Sequence, residues 1–285
     1  MRTTIVEGSP LIKWPGGKRR LLPALSNCVP ETFERYHEPF AGGAALFFSL
    51  RPSAATLSDI NEHLIEMYRA VRDDPKRVVV ALQRLKNDEA SYYYTRDIYR
   101  PRNRFAKAAR FLYLQRLSFN GIYRENLKGR YNVPYGYKLH LSNHSIDELN
   151  NASKALANAS LLVTDFRSAL SCVQKHDFVY LDPPYTVSHN NNGFIKYNQK
   201  LFSWEEQVQL AIIACEMSRH GVHVLVSNAY HMPLLNLYES QFRLFRYDRY
   251  SVIASDSNNR KRIAEAIMIS KHTVINTYRN GLCEI

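Results

Sequence analysis

The chain has 285 residues, of which 45% are hydrophobic, and it carries 38 Lys+Arg against 26 Asp+Glu for a formal net charge of +12. This length suggests one large domain or two ordinary ones with a sizeable core. No apolar run approaches the length of a bilayer span, and residues 1–10 lack a basic start followed by an apolar segment, so neither a membrane span nor a secretory signal is expected. The four cysteines are far apart and form no C-x-x-C pair, which argues against a zinc cluster or a disulfide framework and favours a reduced, cytoplasmic protein.

The first part of the chain has the pattern of strand, glycine turn and helix, followed by a second strand and helix. Residues 36–40 are predicted to be extended, residues 41–44 to form the glycine turn, and residues 45–50 to form an apolar helix. A second strand, residues 56–59, ends on an aspartate. The helix after it has an apolar stripe at the i, i+3, i+4, i+7 spacing of an amphipathic helix, formed by Leu64, Met67, Tyr68 and Val71.

Positive charge is concentrated in the middle of the chain. Residues 69–138 contain 17 Lys+Arg against 6 Asp+Glu, a formal charge of +11, which leaves the rest of the chain almost neutral. A basic block with interleaved aromatic residues is expected of a nucleic-acid-binding surface; the alternative is an arginine-rich, solvated helical face. Residues 105–114 keep helical apolar spacing, Asn120-Gly121 indicates a turn, and residues 126–132 are predicted to form a hairpin with Gly129 in its turn.

The last part of the chain returns to the α/β pattern. Strands are predicted at residues 161–164, 178–181 and 222–226, and residues 242–247 and 264–270 are expected to pair as a closing antiparallel hairpin. A Ser-x-x-Glu capping box predicts the start of a helix between the second and third of these strands. The box is formed by Ser203 and Glu206, and the predicted buried positions of the helix are Val208, Ala211, Ile212 and Cys215.

The tetrapeptide Asp182-Pro183-Pro184-Tyr185 directly follows the apolar strand at 178–181. Two prolines cannot continue a strand, so the chain must leave the sheet there. This places a carboxylate, a proline carbonyl and an aromatic ring at the carboxyl end of a strand, where ligands bind in open α/β sheets. Two acceptors beside a stacking ring suit a flat heterocycle with an exocyclic amino group. The alternative is a strand-ending turn with a surface tyrosine.

Three other features converge on S-adenosylmethionine as a cofactor. The Gly42-Gly43 turn lets the backbone approach a ligand closely. Asp59, 17 residues after Gly42, fits a residue that binds ribose hydroxyls, with a helix N-cap as the alternative. Residues 13–18 (KWPGGK) add a lysine suited to a carboxylate and a tryptophan suited to flank an adenosyl group, and they lack the spacing of a phosphate-binding P-loop.

Taken together, these segments make the sequence similar to DNA adenine-N6 methyltransferases of the Dam family. The shared segments span most of the chain in the family's order: Lys13-Trp14-Pro15-Gly16-Gly17-Lys18, Glu38-Pro39-Phe40-Ala41-Gly42-Gly43, Ser58-Asp59-Ile60-Asn61, Phe119-Asn120-Gly121 with Arg124, Asn132-Val133-Pro134, and Asp182-Pro183-Pro184-Tyr185. The resemblance implies an α/β fold, namely a Rossmann-like S-adenosylmethionine-dependent methyltransferase sheet with an inserted, mainly helical DNA-recognition domain that carries a β-hairpin. It implies a catalytic domain at residues 1–62 and 155–285 and a target-recognition domain at residues 63–154.

The resemblance also implies a role for individual residues. The implied catalytic residues are Asp182, Pro183 and Tyr185. The residues implied at S-adenosylmethionine are Trp14, Lys18, Phe40, Gly42, Gly43, Asp59, Asp165, Phe166 and Asp182. The residues implied at DNA are Lys13, Arg116, Phe119, Asn120, Ile122, Arg124 and Pro134. Two departures from the family, Ala44 in place of a common glycine and Pro15 in place of a common alanine, remove no functional group.

The implied reaction is methyl transfer to N6 of an adenine in double-stranded DNA. The Asp182 carboxylate and the Pro183 carbonyl would accept from the two N–H bonds of the amine, and Tyr185 would stack on a base flipped out of the duplex. Phe119 would fill the gap in the duplex, and Arg124 would read a guanine. The match of Asn120, Arg124 and Pro134 to the family's hairpin makes GATC the expected site. A sulfonium methyl is already activated, so no metal is expected, and we expect a monomer without membrane contacts.

Three other functions were compatible with part of the pattern. An RNA adenine methyltransferase could use the same tetrapeptide, although the basic insertion with a hairpin favours duplex DNA. Cytosine-N4 methylation is chemically similar, but such enzymes more often carry serine at the position of Asp182. A DNA-binding protein without catalysis would explain the basic block and would leave Gly42, Gly43, Asp59 and Lys18 without a purpose.

Overall fold

The computed structural model describes residues 10–126, 128–185, 202–250, 262–275 and 282–285, and for residues 249, 250, 262 and 263 the backbone alone. The chain divides into two compact units. Unit one consists of Arg20–Phe40 and the described parts of Phe166–Ile285, and unit two consists of the described parts of Val6–Arg19 and Ala41–Asp165. Residues 1–9, most of the segment considered for a secretory signal, lie outside the described residues.

Along the described residues, strands and helices alternate at the start of the chain and from the third strand to the sixth, and a run of five helices separates the second strand from the third. The strands are β1 (Tyr36–Glu38), β2 (Ala55–Asp59), β3 (Ala159–Val163), β4 (Phe178–Leu181), β5 (His223–Ala229), β6 (Phe242–Tyr250), β7 (Arg262–Ser270) and β8 (Cys283–Glu284). The helices are α1 (Leu22–Ser26), α2 (Ala45–Leu50), α3 (Glu62–Asp73), α4 (Pro75–Leu82), α5 (Glu89–Asp97), α6 (Arg104–Leu117), α7 (Ile146–Leu156), α8 (Phe166–Leu170), α9 (Trp204–Arg219) and α10 (Met232–Asn236). Each strand predicted from the sequence lies in or overlaps one of these strands.

The strands of unit one are ordered β1-β4-β5-β7-β6-β8. The first three are parallel, with Phe178 opposite both Tyr36 and His223, and the closing pair β6–β7 is antiparallel as the sequence predicts. All four residues of β4 are buried, as expected of a parallel strand covered on both faces. Because the carboxyl ends of parallel strands share one edge, the residue after Leu181 lies where an α/β sheet binds its ligands.

Unit two contains the parallel pair β2–β3, with Asp59 opposite Val163, and the helices α2 to α7. The predicted amphipathic stripe of α3 is fully buried. The helix begins at Asn61, whose side-chain oxygen accepts from the Leu64 N–H at 3.0 Å. An asparagine N-cap of this kind stabilises a helix by about 1 kcal/mol.

The predicted turn and hairpin of the middle segment are both present, in a short form. A 3₁₀ turn covers Phe119–Gly121, with Asn120 at a positive φ of 54°. The hairpin is closed by an isolated antiparallel bridge between Glu125 and Tyr131, with Gly129 at φ 67° in its turn. Glycine is needed there because the left-handed region is strained for other residues.

Part of the basic block has a structural role within unit two. Arg69 Nε donates to the Leu161 carbonyl at 3.1 Å, and Arg110 Nε donates to the Thr95 carbonyl at 2.9 Å. These guanidinium groups satisfy backbone acceptors in β3 and in the last turn of α5, where unpaired carbonyls would be costly. Other basic side chains of the block are exposed, among them Lys76, Arg102, Lys107, Lys128 and Arg130.

The helix α9 begins as predicted and buries Ala211 and Cys215 as predicted, but its buried face is otherwise shifted. Both bonds of the capping box between Ser203 and Glu206 form. Ile212, predicted to be buried, is 55% exposed, whereas Gln207 is 1% exposed. The prediction for Ile212 was wrong because it followed apolar spacing alone, whereas the Gln207 amide turns inward to make hydrogen bonds that fix the face of the helix.

The α/β fold class predicted from the sequence is confirmed by these elements. The division into a catalytic and a target-recognition domain stays a prediction, since compact packing units need not coincide with functional domains. Among the described residues, each helix is too short or too polar to cross a bilayer. In the same residues, His, Cys, Asp and Glu form no group of three or more that could hold a metal ion.

Candidate active site

The glycine turn of unit two is held by hydrogen bonds on both sides of Gly42. Its N–H donates to Asp59 Oδ2 at 3.0 Å, and its carbonyl accepts from the Tyr68 hydroxyl at 2.8 Å. Gly42 has φ 45°, and a Cβ at this position would lie 2.7 Å from Cδ1 of Trp14. Both the conformation and the contact require glycine. The structure therefore brings together three residues that the sequence assigned to the cofactor: Trp14, Gly42 and Asp59.

The Asp59 carboxylate organises this turn. Its second oxygen, Oδ1, accepts from the Asn61 N–H at 2.9 Å. Because Asn61 is the N-cap of α3, Asp59 is not the cap residue that the alternative interpretation required. Burial raises the pKa of the Asp59 carboxyl, and the N–H groups of Asn61 and Gly42 offset part of that effect. The result is a partly buried acceptor in a fixed orientation.

The segment Lys13–Lys18 forms a tight turn. The Gly17 N–H donates to the Trp14 carbonyl at 2.9 Å, and the buried Lys18 ammonium donates to the Gly16 carbonyl at 2.9 Å. The Trp14 ring stacks on Tyr123, with ring centroids 4.9 Å apart and an angle of 22° between planes. Offset stacking of this kind is favourable for aromatic pairs. Trp14 is thus fixed by neighbours in unit two, and Tyr123 is a contact that the sequence did not indicate.

Ala44 occupies a position of the turn at which the family that the sequence resembles commonly has glycine. It has φ 48° and ψ 44°, a left-handed conformation that costs a residue with a Cβ about 1–2 kcal/mol. We expect Ala44→Gly to stabilise the protein by about 1 kcal/mol and to raise the melting temperature by about 2 °C. The matched control is Ala45→Gly in the first turn of α2, which should destabilise by about 1 kcal/mol. Equal shifts of the melting temperature in both variants would contradict this explanation.

The tetrapeptide after β4 is anchored at three points by residues of unit one. Asp182 Oδ1 accepts from the Ser227 hydroxyl at 2.9 Å, and the Pro184 carbonyl accepts from the Gln207 amide at 3.1 Å. The Tyr185 hydroxyl donates to Oε2 of the fully buried Glu265 at 3.1 Å. Ser227 lies on β5, Gln207 on α9 and Glu265 on β7. The prolines turn the chain out of the sheet as predicted, and these three bonds fix the direction in which it leaves.

Sequence reasoning missed all three anchors. Ser227 and Glu265 interrupt apolar strands, and Gln207 interrupts the apolar face of a helix. A buried polar residue must find a hydrogen-bond partner, so a lone polar residue in an apolar strand is a usable signal. The partner itself could not be read from the sequence, because Ser227 is 45 positions from Asp182.

Two aromatic residues assigned to the cofactor, Phe40 and Phe166, lie together in unit one. Their rings stack with centroids 5.6 Å apart, and Phe202 meets Phe40 edge-on at 5.5 Å. Phe166 is 4% exposed within the apolar cluster that also contains Leu181, while Phe40 is partly buried against that cluster. Packing alone therefore accounts for Phe166. Asp165, assigned with it, lies in unit two and is half-buried.

The residues assigned to DNA all belong to unit two. Five of them are exposed: Lys13, Phe119, Asn120, Arg124 and Pro134. The Phe119 N–H donates to the Pro134 carbonyl at 2.9 Å, which ties the 3₁₀ turn to the hairpin segment. The buried Gln115 amide donates to the carbonyls of Lys13 and Gly121, so the turn is also tied to the segment that carries Trp14. This role of Gln115 is not indicated by any pattern in the sequence.

The remaining assigned residues differ in how strongly they are held. Arg124 Nε donates to Asn132 Oδ1 at 2.8 Å, and its guanidinium is exposed. Arg116 makes more contacts within unit two. Its Nε donates to the Ser142 carbonyl at 2.7 Å, and its Nη1 lies 3.7 Å from Oε1 of Glu148. These contacts indicate that Arg116 stabilises the fold of unit two. Ile122, Gly43 and Pro183 are backbone neighbours of the segments described above, and Pro183 is buried.

Comparison with known proteins identifies the family of the chain. Residues 14–255 match the family described as D12 class N6 adenine-specific DNA methyltransferase. A type II methyltransferase of Lactococcus lactis subsp. cremoris, M1.LlaDCHI, is 34% identical over 270 residues, covering 91% of this chain and 94% of its own. The DNA adenine methylase of Escherichia coli K12 is 30% identical over 271 residues, covering 93% and 96%. The type II methyltransferase M.MjaIII of Methanocaldococcus jannaschii is 31% identical over 257 residues, covering 82% and 89%. The chain belongs to the D12 class of N6 adenine-specific DNA methyltransferases.

Proposed function

We propose that this adenine-specific DNA methyltransferase transfers a methyl group from S-adenosylmethionine to N6 of a flipped-out adenine in duplex DNA, within the sequence GATC. The observation that carries the proposal is the fixed Asp182 carboxylate, which follows β4 at the ligand-binding edge of a parallel sheet and accepts from Ser227. The exocyclic amine of adenine presents two N–H bonds. Asp182 and the Pro183 carbonyl supply one acceptor for each.

The acceptors act on the reactivity of the amine. The nitrogen lone pair of adenine is delocalised into the ring, so the free amine is a weak nucleophile. Hydrogen bonds to both N–H groups favour a tetrahedral nitrogen whose lone pair is available for bonding. Acceptors fixed before the reaction need no reorganisation when charge develops. Correct alignment of the reacting groups contributes on the order of 7–11 kcal/mol to such reactions.

The residues of the glycine turn fit S-adenosylmethionine. At Gly42 a Cβ would collide with Trp14, so only glycine lets the Trp14 ring pack this closely against the turn. Asp59 offers a partly buried carboxylate of the kind that binds ribose hydroxyls, and Lys18 offers a cation for a carboxylate. When bound, the sulfonium supplies a methyl group that is already electrophilic. We assign Trp14, Lys18, Gly42, Gly43 and Asp59 to this cofactor, with Phe40, Asp165, Phe166 and Asp182 as further candidates.

The target base must leave the duplex to be methylated, which costs a few kcal/mol. Tyr185 is held through its hydroxyl by Glu265, which leaves the ring as a rigid stacking surface. Stacking of a base on an aromatic side chain contributes about 1–3 kcal/mol. Phe119 is 54% exposed on the 3₁₀ turn, and an exposed apolar ring is suited to fill the gap in the duplex. Lys13, Asn120, Ile122 and Pro134 belong to the same proposed DNA surface, and Arg116 is a weaker candidate because of its internal bonds.

We expect Arg124→Ala to relax the sequence preference more than it slows methylation at saturating DNA. The exposed guanidinium is steadied by Asn132, and a bidentate contact with guanine contributes about 1–3 kcal/mol of discrimination. The ratio of kcat/KM for GATC over single-base variants should therefore fall about 10-fold or more. Arg130→Ala is the matched control, because Arg130 is an exposed arginine of the same hairpin. An unchanged ratio in Arg124→Ala would rule out its role as a reader.

Sequencing of the modified positions on a plasmid methylated by the purified protein tests the proposal. Methylation of adenine confined to GATC supports it. Modified adenine in another context overturns the proposed site alone, and modified cytosine overturns the proposed reaction. Faster methylation of an RNA duplex than of a DNA duplex of the same sequence overturns the proposed substrate. The proposal includes a cytoplasmic location and action as a monomer, of which the location is supported by four free thiols.

A further inference from the structure

Two buried hydroxyl groups are hydrogen-bonded in series to the Asp182 carboxylate. Tyr180 is on β4, two residues before the aspartate, and Ser227 is on β5; the side chains are 1% and 0% exposed. The Tyr180 hydroxyl lies 2.9 Å from Ser227 Oγ, and Ser227 Oγ lies 2.9 Å from Asp182 Oδ1. The three groups form one chain of hydrogen bonds within unit one.

The direction of this chain is fixed by the number of hydrogen atoms available. A carboxylate can only accept, so the single hydroxyl hydrogen of Ser227 is directed at Asp182. The hydrogen between Tyr180 and Ser227 must then come from Tyr180. Burial, followed by the charge of Asp182, raises the pKa of Tyr180 well above its usual value, so this phenol keeps its hydrogen at every working pH. Tyr180 thus orients Ser227, and Ser227 orients the carboxylate.

The other two anchors of the tetrapeptide bind different parts of it. Gln207 holds the backbone at Pro184 and Glu265 holds the ring of Tyr185, whereas the Ser227 hydroxyl is bonded to the carboxylate of Asp182. Two buried hydroxyls are costly to place in a core unless they are paired, and a purely packing role would be served as well by alanine and phenylalanine. We therefore expect the hydroxyls of Ser227 and Tyr180 to have a function that depends on their hydrogen bonds.

We propose that Ser227, supported by Tyr180, is a positioning residue that sets the orientation of the Asp182 carboxylate and favours its ionised form. The proposal rests on the proposed function, in which ionised Asp182 accepts from the adenine amine. A hydrogen bond donated to the ionised form of an acid stabilises that form. Among the described residues, the phenols of Tyr36 on β1 and Tyr180 on β4 interact electrostatically with Asp182. Glu38 on β1, Tyr185 after β4 and Glu265 on β7 are the next titratable groups, each bonded to or interacting with one of these side chains. The hydrogen bond that Ser227 donates is one of the interactions that set the charge of Asp182.

The test compares Ser227→Ala and Tyr180→Phe with the unchanged protein in methyl transfer to duplex DNA. Hydrogen bonds to charged groups imply that Ser227→Ala lowers kcat by about tenfold to hundredfold, with the KM values for DNA and methyl donor within about twofold. The acid limb of the pH–rate profile should move up by roughly one pH unit, because the protonated carboxyl is no longer disfavoured. Tyr180→Phe should move kcat and the acid limb in the same directions by a smaller amount.

Ser218→Ala is the matched control, since Ser218 is a buried serine of α9 whose hydroxyl has no hydrogen-bond partner among the described residues. It should leave kcat and the pH profile unchanged. An unchanged acid limb in both Ser227→Ala and Tyr180→Phe overturns the proposal, whatever happens to their melting temperatures. If Ser227→Ala does not fold, the isosteric ring of Tyr180→Phe keeps the test decisive. Failure of the unchanged protein to methylate adenine would instead overturn the proposed function.

Discussion

Replacement of Asp182 by alanine is expected to abolish methylation of adenine. In the proposed mechanism the carboxylate accepts from one N–H of the target amine, and removal of a group that stabilises developing charge costs on the order of 10²–10³-fold in rate. The substitution also leaves the Ser227 hydroxyl without its acceptor, which costs about 1–3 kcal/mol of folding stability. We therefore expect a folded protein with little or no turnover and weakened binding of the methyl donor.

The measurement is transfer of a labelled methyl group to duplex DNA at saturating substrates, together with the melting temperature of each protein. Asp248→Ala is the control, because Asp248 is an exposed aspartate of the same unit that pairs with Arg246 on β6. Exposed ion pairs of this kind contribute about 0–1 kcal/mol, so this variant should keep both its activity and its melting temperature. Near-normal turnover in Asp182→Ala would contradict the assignment of the catalytic carboxylate.

The second large effect is expected from Gly42→Ala. A methyl group at this position would lie 2.7 Å from the Trp14 ring, and the residue has φ 45°. The backbone would have to move, and with it the N–H that binds Asp59. The substitution changes the three groups assigned to the cofactor at once, so the dissociation constant for S-adenosylmethionine should rise by about 100-fold or more, equivalent to about 3 kcal/mol.

Gly129→Ala separates the two causes of this effect. Gly129 has φ 67°, and a Cβ there would meet nothing within 4 Å. The variant therefore carries the backbone strain without the collision and should lose about 1–2 kcal/mol of stability while retaining its affinity for the cofactor. Equilibrium dialysis with labelled S-adenosylmethionine measures both affinities. Equal affinity in Gly42→Ala and the unchanged protein would remove the glycine turn from the cofactor site.

The elements that could be predicted from the sequence are those that local patterns determine. The apolar run of β4 followed by two prolines predicts both the strand and its end, and the capping box at Ser203 predicts the first residue of α9. The stripe on α3 predicts its buried face. In each case the signal lies within one or two turns of helix or one strand, where propensity and periodicity act.

The features that escaped prediction depend on partners that are distant in the sequence. Gln207 and Pro184 are separated by 23 positions and Ser227 and Asp182 by 45, yet these bonds decide which face of α9 is buried and how the tetrapeptide is held. Ile212 was placed in the core because periodicity counts apolar residues and takes no account of an inward amide. A tertiary hydrogen bond of a buried polar group overrides such spacing.

The basic block of residues 69–138 also combines a property that the sequence shows with contacts that it does not show. Its charge is evident from the sequence, but the sequence does not tell which arginines are available to a ligand. Arg69 and Arg110 are bound to backbone carbonyls, whereas Arg124 and Arg130 are exposed. A guanidinium that already satisfies a carbonyl loses that bond when it turns to a phosphate. The DNA-contacting subset is therefore smaller than the formal charge suggests.

Nucleoside analysis of DNA after reaction tests the central claim most directly. Purified protein is incubated with unmethylated duplex DNA and S-adenosylmethionine labelled in its methyl group, and the DNA is then digested to nucleosides. The proposed chemistry at Asp182 predicts label in N6-methyladenine, in the unchanged protein and not in Asp182→Ala. Label in N4-methylcytosine, or equal label in N6-methyladenine from both proteins, would contradict it.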